Sequence, residues 1–156
     1  MANIIGRKTE IEELMSLYRS KKSEFVAVYG RRRVGKTYLI KELFKDKMTF
    51  YHTGMSPIDT AKDNILQDQL KSFHNSLIRY GMEDEKPPES WIEAFFLLEK
   101  LLKSQEGKER QVVFIDELPW MDTPRSGFLS AFEHFWNGWG SDNDKLMLIV
   151  CGSAAS

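Results

Sequence analysis

One cysteine, Cys151, stands in the 156 residues. An internal disulfide is therefore excluded, and the cytoplasm is the expected compartment. The three histidines, His52, His74 and His134, are scattered and offer no metal-ligand spacing. No apolar run approaches the ~18–20 residues that cross a membrane. The opening "MANIIGRKTE" has no signal-peptide core. Net charge is only -1, with 22 Lys+Arg against 23 Asp+Glu. That balance argues against a protein that coats nucleic acid by bulk charge, while a local basic patch stays open. Neither an internal repeat nor a low-complexity tract is present. What remains is 42% hydrophobic and 29% charged, the composition of one soluble domain, residues 1–156, with a real core.

Glycine is sparse too, ten in all, and costly in ordered structure unless the backbone needs its freedom. Two of the ten stand five apart in "VYGRRRVGKTYLI" (28–40), and Lys36-Thr37 follows them directly. The apolar, β-rich run "FVAVY" (25–29) reads as a buried strand ending at Gly30. After Lys36, the residues Leu39, Ile40, Leu43 and Phe44 recur at helical spacing. Gly-x-x-x-x-Gly-Lys-Thr between a strand and a helix is the context of a phosphate loop. The backbone N–H groups of Gly30, Arg31, Arg32, Arg33, Val34 and Gly35 can turn inward around phosphate oxygens. The helix opened by Lys36, Thr37 and Tyr38 adds its positive dipole end. Lys36 would reach the β- and γ-phosphates, and the Thr37 hydroxyl would hold Mg²⁺. The plainer alternative is a Gly-Lys-Thr turn that only caps a helix. Arg31, Arg32 and Arg33 either add potential for nucleotide capture or form a solvated rim.

Other elements follow from the same patterns. "TEIEELMSLY" is a first helix, with Thr9 and Glu12 as its capping box. "MTFYH" (48–52) is a second strand. A helix from Asp59 to about Arg79 carries the stripe Ile65, Leu66, Leu70, Phe73, Leu77 and Ile78. Ser90 with Glu93 caps the helix "WIEAFFLLEKLLKS". "QVVFI" (111–115) and "KLMLIV" (145–150) are the third and fourth strands, separated by the helical "RSGFLSAFEHFWNGWG". In that segment Phe128, Phe132, Phe135, Trp136 and Trp139 share one helical face; core packing is the default reading and a partner surface the alternative. Strands apolar through their length and alternating with helices predict an α/β fold, a parallel sheet covered on both faces. Ligands in such folds bind at the carboxyl ends of the strands. Those ends carry Gly30, His52, Asp116-Glu117 and Ser153.

"VVFIDELPW" describes a buried strand that delivers Asp116 beside the Mg²⁺, with Glu117 next as a candidate general base for the attacking water. Standing alone, the two acids would read as solvated strand-end residues; together with the phosphate loop they read as a site. Ser153, in "CGSAAS", either bonds a γ-phosphate or the water, or bonds its own backbone. His52 falls near the site, and a structural role suits it better.

"IIGRKTEIEELMSLY", "VYGRRRVGKTYLIKEL", "VVFIDELPWMDTPRSGFLSAFEHFWNGW" and "LIVCGSAAS" resemble the prokaryotic AAA+-like ATPases often called archaeal-type ATPases, relatives of the STAND signalling NTPases and the origin-recognition ATPases. The likeness covers nearly the whole chain apart from about residues 56–89. It implies a P-loop three-layer αβα sandwich that binds ATP with Mg²⁺ and hydrolyses it. By position, Lys36 and Thr37 match the Walker A pair, Asp116 and Glu117 match Walker B, and Ser153 matches the sensor. Ile5, Gly6 and Arg7 match the N-terminal box that lies against the adenine. Neither Asn-Lys-x-Asp for guanine nor Leu-Ser-Gly-Gly-Gln of transporter ATPases occurs. The resemblance also implies a fifth strand, a helical lid and C-terminal effector domains beyond Ser156, leaving residues 25–29 as a sheet edge and this piece slow or inactive in turnover. It leaves two uses open: remodelling linked to nucleic acid, with DNA contacted through those C-terminal domains and self-association of the full-length protein, or a STAND-type nucleotide switch.

Overall fold

The computed structural model of the protein describes residues 8–30, 35–56, 64–83, 86–107 and 109–153, with only the backbone of Tyr29 and Ser153. In chain order these are α1 (Lys8–Arg19), β1 (Glu24–Gly30), α2 (Lys36–Leu43), β2 (Met48–Thr53), α3 (Ile65–Arg79), α4 (Trp91–Ser104), β3 (Gln111–Asp116), α5 (Phe128–Gly138) and β4 (Leu146–Ser153). Short 3-10 turns cover Leu118–Met121 and Gly140–Asp142. The four strands form one parallel sheet in the order β1-β4-β3-β2. The last strand in sequence is thus inserted between the first and third, and β1 is an edge, as expected.

Each strand runs past the apolar run that announced it. The parallel ladder continues through Thr53 opposite Asp116 and Gly30 opposite Ser153, so polar residues at the strand ends are still paired by backbone. Side chains alternate across the sheet. Val113, Ile115, Leu146, Leu148 and Val150 face α3, α4 and α5, where Phe73, Trp91, Phe95 and Phe128 pack edge-on or tilted against one another. Val112, Phe114, Met147, Ile149 and Cys151 face α1 and α2. Both faces are therefore covered, giving three layers. The α5 aromatics are core: Phe128, Phe132 and Phe135 are buried, with Trp136 and Trp139 packed beside them. Burying one such ring contributes about 1.5–3 kcal/mol. On the β1 edge, Phe25 stays 40% exposed and meets Phe132 and Trp136 edge-on.

The cap predicted for α4 is present: the Ser90 hydroxyl accepts from the Glu93 N–H at 3.2 Å. The Thr9–Glu12 cap predicted for α1 is corrected. Lys8 is already helical, so Thr9 lies inside the first turn, where a residue lacks the extended backbone a cap needs. α3 begins at Ile65, and residues 57–63, where its start was expected, lie outside the described ones. Among the described residues no helix is long and apolar enough to cross a membrane.

Candidate functional site

The β1–α2 junction turns at Gly35, whose backbone (φ 94, ψ -42) is one that side chains rarely adopt. Gly35 brings no side-chain cap, and α2 carries no acid in its first turn. The positive end of its dipole is therefore unopposed by its own sequence. Lys36 and Thr37 open this helix, and Tyr38 follows at 40% exposure.

Strand parity brings the acid to them. Asp116 continues the Val112–Phe114 face of β3, the face toward α2, as Cys151 does on β4. The Thr37 hydroxyl donates to Asp116 Oδ2 at 2.8 Å. The other carboxylate oxygen accepts the Glu117 N–H at 2.9 Å. Cys151 lies on the same face beside Asp116; burial first, then the Asp116 charge, pushes its thiol up to about 12, while Lys36 pulls weakly the other way. The thiol is thus neutral at ordinary pH. Asp116 is 4% exposed and each of its carboxylate oxygens is held by a hydrogen bond.

Glu117 turns the chain out of the sheet. Its backbone is left-handed (φ 54, ψ 42), a conformation costing a non-glycine residue on the order of 1 kcal/mol or more. Three contacts fix it. Its N–H bonds Asp116, its carbonyl accepts from Trp120 N–H at 3.1 Å, and Gly54 lies so close that an added Cβ would stand 2.6 Å from that carbonyl oxygen. Gly54 N–H in turn donates to the Asp116 carbonyl at 2.9 Å. The Glu117 side chain is 3% exposed.

Two residues that the sequence reading did not single out organise this edge. Gln69 of α3 is fully buried; its amide donates to the carbonyls of Met55 (2.8 Å) and Trp120 (3.1 Å), tying the loop after β2 to the turn after β3. Glu10 of α1 meets Lys36: Nζ to Oε2 is 2.9 Å. Each was legible as a polar residue on an inward helical stripe, Gln69 between Leu66 and Phe73, and Glu10 four residues before the buried Leu14.

Of the predicted residues, the structure brings together Thr37, Asp116 and Glu117, with Lys36 opening the same helix as Thr37. Ser153 ends β4 beside Gly30, backbone to backbone. Ile5, Gly6, Arg7, Arg31, Arg32, Arg33 and Val34 lie outside the described residues. His52 is not in the cleft. It is 2% exposed, packs on Phe73, and pairs its Nδ1 with the Ser76 hydroxyl at 2.7 Å.

Chemically, the edge offers a cation and a helix N-terminus, both suited to an anion, next to a hydroxyl and carboxylate suited to a hard cation. Together with a β4 inserted between β1 and β3, this defines a P-loop-type α/β fold. The chain belongs to the family described as an ATPase domain predominantly from Archaea, whose model matches residues 4–156.

It is 28% identical over 152 residues to an uncharacterized protein of Methanocaldococcus jannaschii, covering 97% of this chain and 30% of that protein. A shorter match, 44% identical over 43 residues, is to an uncharacterized ATP-binding protein of the same organism; it covers 28% of this chain and 73% of that one. Among solved structures, the Walker-type ATPase of Pyrococcus abyssi superposes with TM-score 0.55 at 18% identity, over 96% of this chain and 45% of that one. A chain of Drosophila ORC bound to DNA gives 0.52 at 12% identity, over 97% and 78%. The chain thus spans under a third of the first relative and under half of the first structural neighbour.

Proposed function

We propose that this chain binds Mg·ATP at the carboxyl edge of its sheet and supplies the groups that hydrolyse the γ-phosphate bond, turning over slowly or not at all as this piece alone, with residues 1–156 as one P-loop core. The observation that carries the reading is the Thr37–Asp116 hydrogen bond, which joins the helix after the glycine loop to the acid-bearing strand. In this reading the backbone of residues 30–35 cradles the phosphates, with Arg31, Arg32, Arg33 and Val34 in the loop and Tyr38 just beyond it. Lys36 neutralises β- and γ-oxygens, and Ile5, Gly6 and Arg7 lie against the adenine.

Thr37 and Asp116 fit Mg²⁺. They are hard oxygen donors, and among the described residues no three His, Cys, Asp or Glu side chains are grouped to cage a metal alone. A cation bound through one or two protein oxygens, completed by phosphate and water, is the usual Mg²⁺ arrangement. Bound there, it would neutralise charge on the transferring phosphoryl group. Glu117 is the proposed base: it takes the proton of the water whose oxygen bonds the γ-phosphorus as the bond to the β-bridging oxygen breaks. Ser153 is proposed to bond the γ-phosphate or that water.

The work proposed for this turnover is remodelling linked to nucleic acid. The fold shared with a chain of ORC, there bound to DNA, supports that reading. Titration of labelled ATP and GTP with Mg²⁺ tests the core claim. Tighter binding of ATP is expected, equal affinities remove the adenine assignment, and no binding of either overturns the proposal. In a protein that also carries the C-terminal domains the resemblance implies, DNA is expected to raise turnover; an unchanged rate there removes the nucleic-acid part alone.

A further inference from the structure

We propose that Glu10 is a built-in competitor for the phosphate site, an acidic side chain of α1 that holds Lys36 until a nucleotide's phosphates displace it. The inference rests on the ATP-binding reading above. Its geometric basis is the 2.9 Å contact between Lys36 Nζ and Glu10 Oε2.

Three observations give the contact this meaning. First, Lys36 is the first residue of α2, so its partner carboxylate is brought to the helix end that favours anions. Second, α2 has no acid in its own first turn, and the negative charge arrives from a residue 26 positions away. Third, Glu10 is set apart from its neighbours on α1. Glu12 and Glu13 are exposed to solvent, whereas Glu10 stands on the stripe of Leu14, which packs with Leu39, Ile40 and Phe44.

An ammonium shared by Glu10 and a phosphate would bring two anions within about 6 Å of each other, where like charges in a partly desolvated cleft repel. Each anion therefore weakens the other's hold on the ammonium, and the triphosphate, with several charges, is the stronger competitor.

The pair is partly exposed, 24% at Lys36 and 43% at Glu10, so its effect on binding is modest. Binding of Mg·ATP and of inorganic triphosphate is measured for the wild type, Glu10→Gln and Glu12→Gln. Glu12→Gln makes the same change in net charge on the exposed side of the helix. Glu10→Gln is expected to tighten both ligands by about two- to five-fold, the span of such ion pairs, with the gain shrinking as salt rises. Glu12→Gln is expected to leave both unchanged. If the wild type binds ATP and Glu10→Gln binds no tighter, the competitor role is overturned and the ATP reading stands. If neither the wild type nor Glu10→Gln binds ATP or triphosphate, the ATP reading falls and the competitor role with it.

Discussion

The Thr37 hydroxyl donates to Asp116 Oδ2 across 2.8 Å, joining residues 79 apart in sequence. Neither residue's local pattern calls for the other. Helix α2 places the hydroxyl, and the parity of β3 places the carboxylate on the same face. A hydrogen bond to a charged acceptor is worth about 1.5–3 kcal/mol. Asp116→Asn keeps one oxygen for the Glu117 N–H, turns the other into an amide that can donate to the Thr37 oxygen, and removes the charge. We expect it to weaken Mg²⁺-dependent ATP binding by about ten-fold or more, at ~1.4 kcal/mol per decade, and to leave binding in EDTA unchanged. Paired titrations with and without Mg²⁺ check this; equal losses in both would show that Asp116 serves the fold and not a cation.

Glu117 and Asp116 are adjacent, yet their expected phenotypes differ. Glu117→Gln preserves the side chain's shape and removes its basicity. In a protein that carries the lid as well as this core, ATP binding should persist while turnover falls by ~10²–10⁴, the worth of a positioned base. Steady-state hydrolysis beside equilibrium binding separates the two effects. Parental turnover in Glu117→Gln would remove the base assignment.

The close approach of Gly54 to Glu117 gives a test that leaves every charged group in place. A Cβ at residue 54 would meet the Glu117 carbonyl oxygen at 2.6 Å and Met121 Cγ at 3.1 Å. The first neighbour is backbone, already held left-handed, and cannot yield cheaply. Gly54→Ala should cost about 1–3 kcal/mol in urea unfolding, as overpacking does. It should lower turnover more than ATP affinity, because the displaced turn carries Glu117 and not the phosphate loop. A variant as stable and active as the parent would show that the turn is looser than its contacts imply.

The elements and the two motifs were legible because each is written locally. Apolar strands, a glycine loop before a helical stripe, and an acid pair after "VVFI" need only neighbouring residues to be recognised. Even Asp116's face follows from alternation once β3 is placed. The insertion of β4 between β1 and β3 is a long-range pairing that no local pattern announces. Glu10, Gln69 and His52 were harder to read. Each is a polar residue on an inward-leaning stripe, and periodicity says which way it faces without saying what it meets. Gln69 meets two carbonyls from separate loops, and Glu10 meets a lysine on another helix. Those partners depend on how helices cross the sheet. The Thr9 cap failed for the opposite reason: Ser/Thr-x-x-Glu is a short pattern that also occurs within the first turn of a helix, where Thr9 lies.

His52 yields the last prediction. It is 2% exposed, lies against Phe50 and Phe73, and shares its Nδ1 with the Ser76 hydroxyl. Burial, and secondarily the Arg79 charge, lowers its pKa to about 3. The unfolded chain binds this proton near pH 6.5, so between roughly pH 6.5 and 3 the unfolded state holds more protons than the folded one. Stability therefore rises with pH in that window. The contribution is complete above about 6.5 and is lost as pH falls, by on the order of 4 kcal/mol at pH 3. His52→Asn keeps a polar group toward Ser76 and removes the titration. It should be less stable than the parent at neutral pH, since it leaves unfilled volume among aromatic rings, and its stability should fall less steeply with acid. Urea unfolding midpoints across this range test the difference in slope, which a loss of packing alone does not alter. Parallel pH dependences for the two proteins would show that His52 is protonated in the folded state as readily as in the unfolded one.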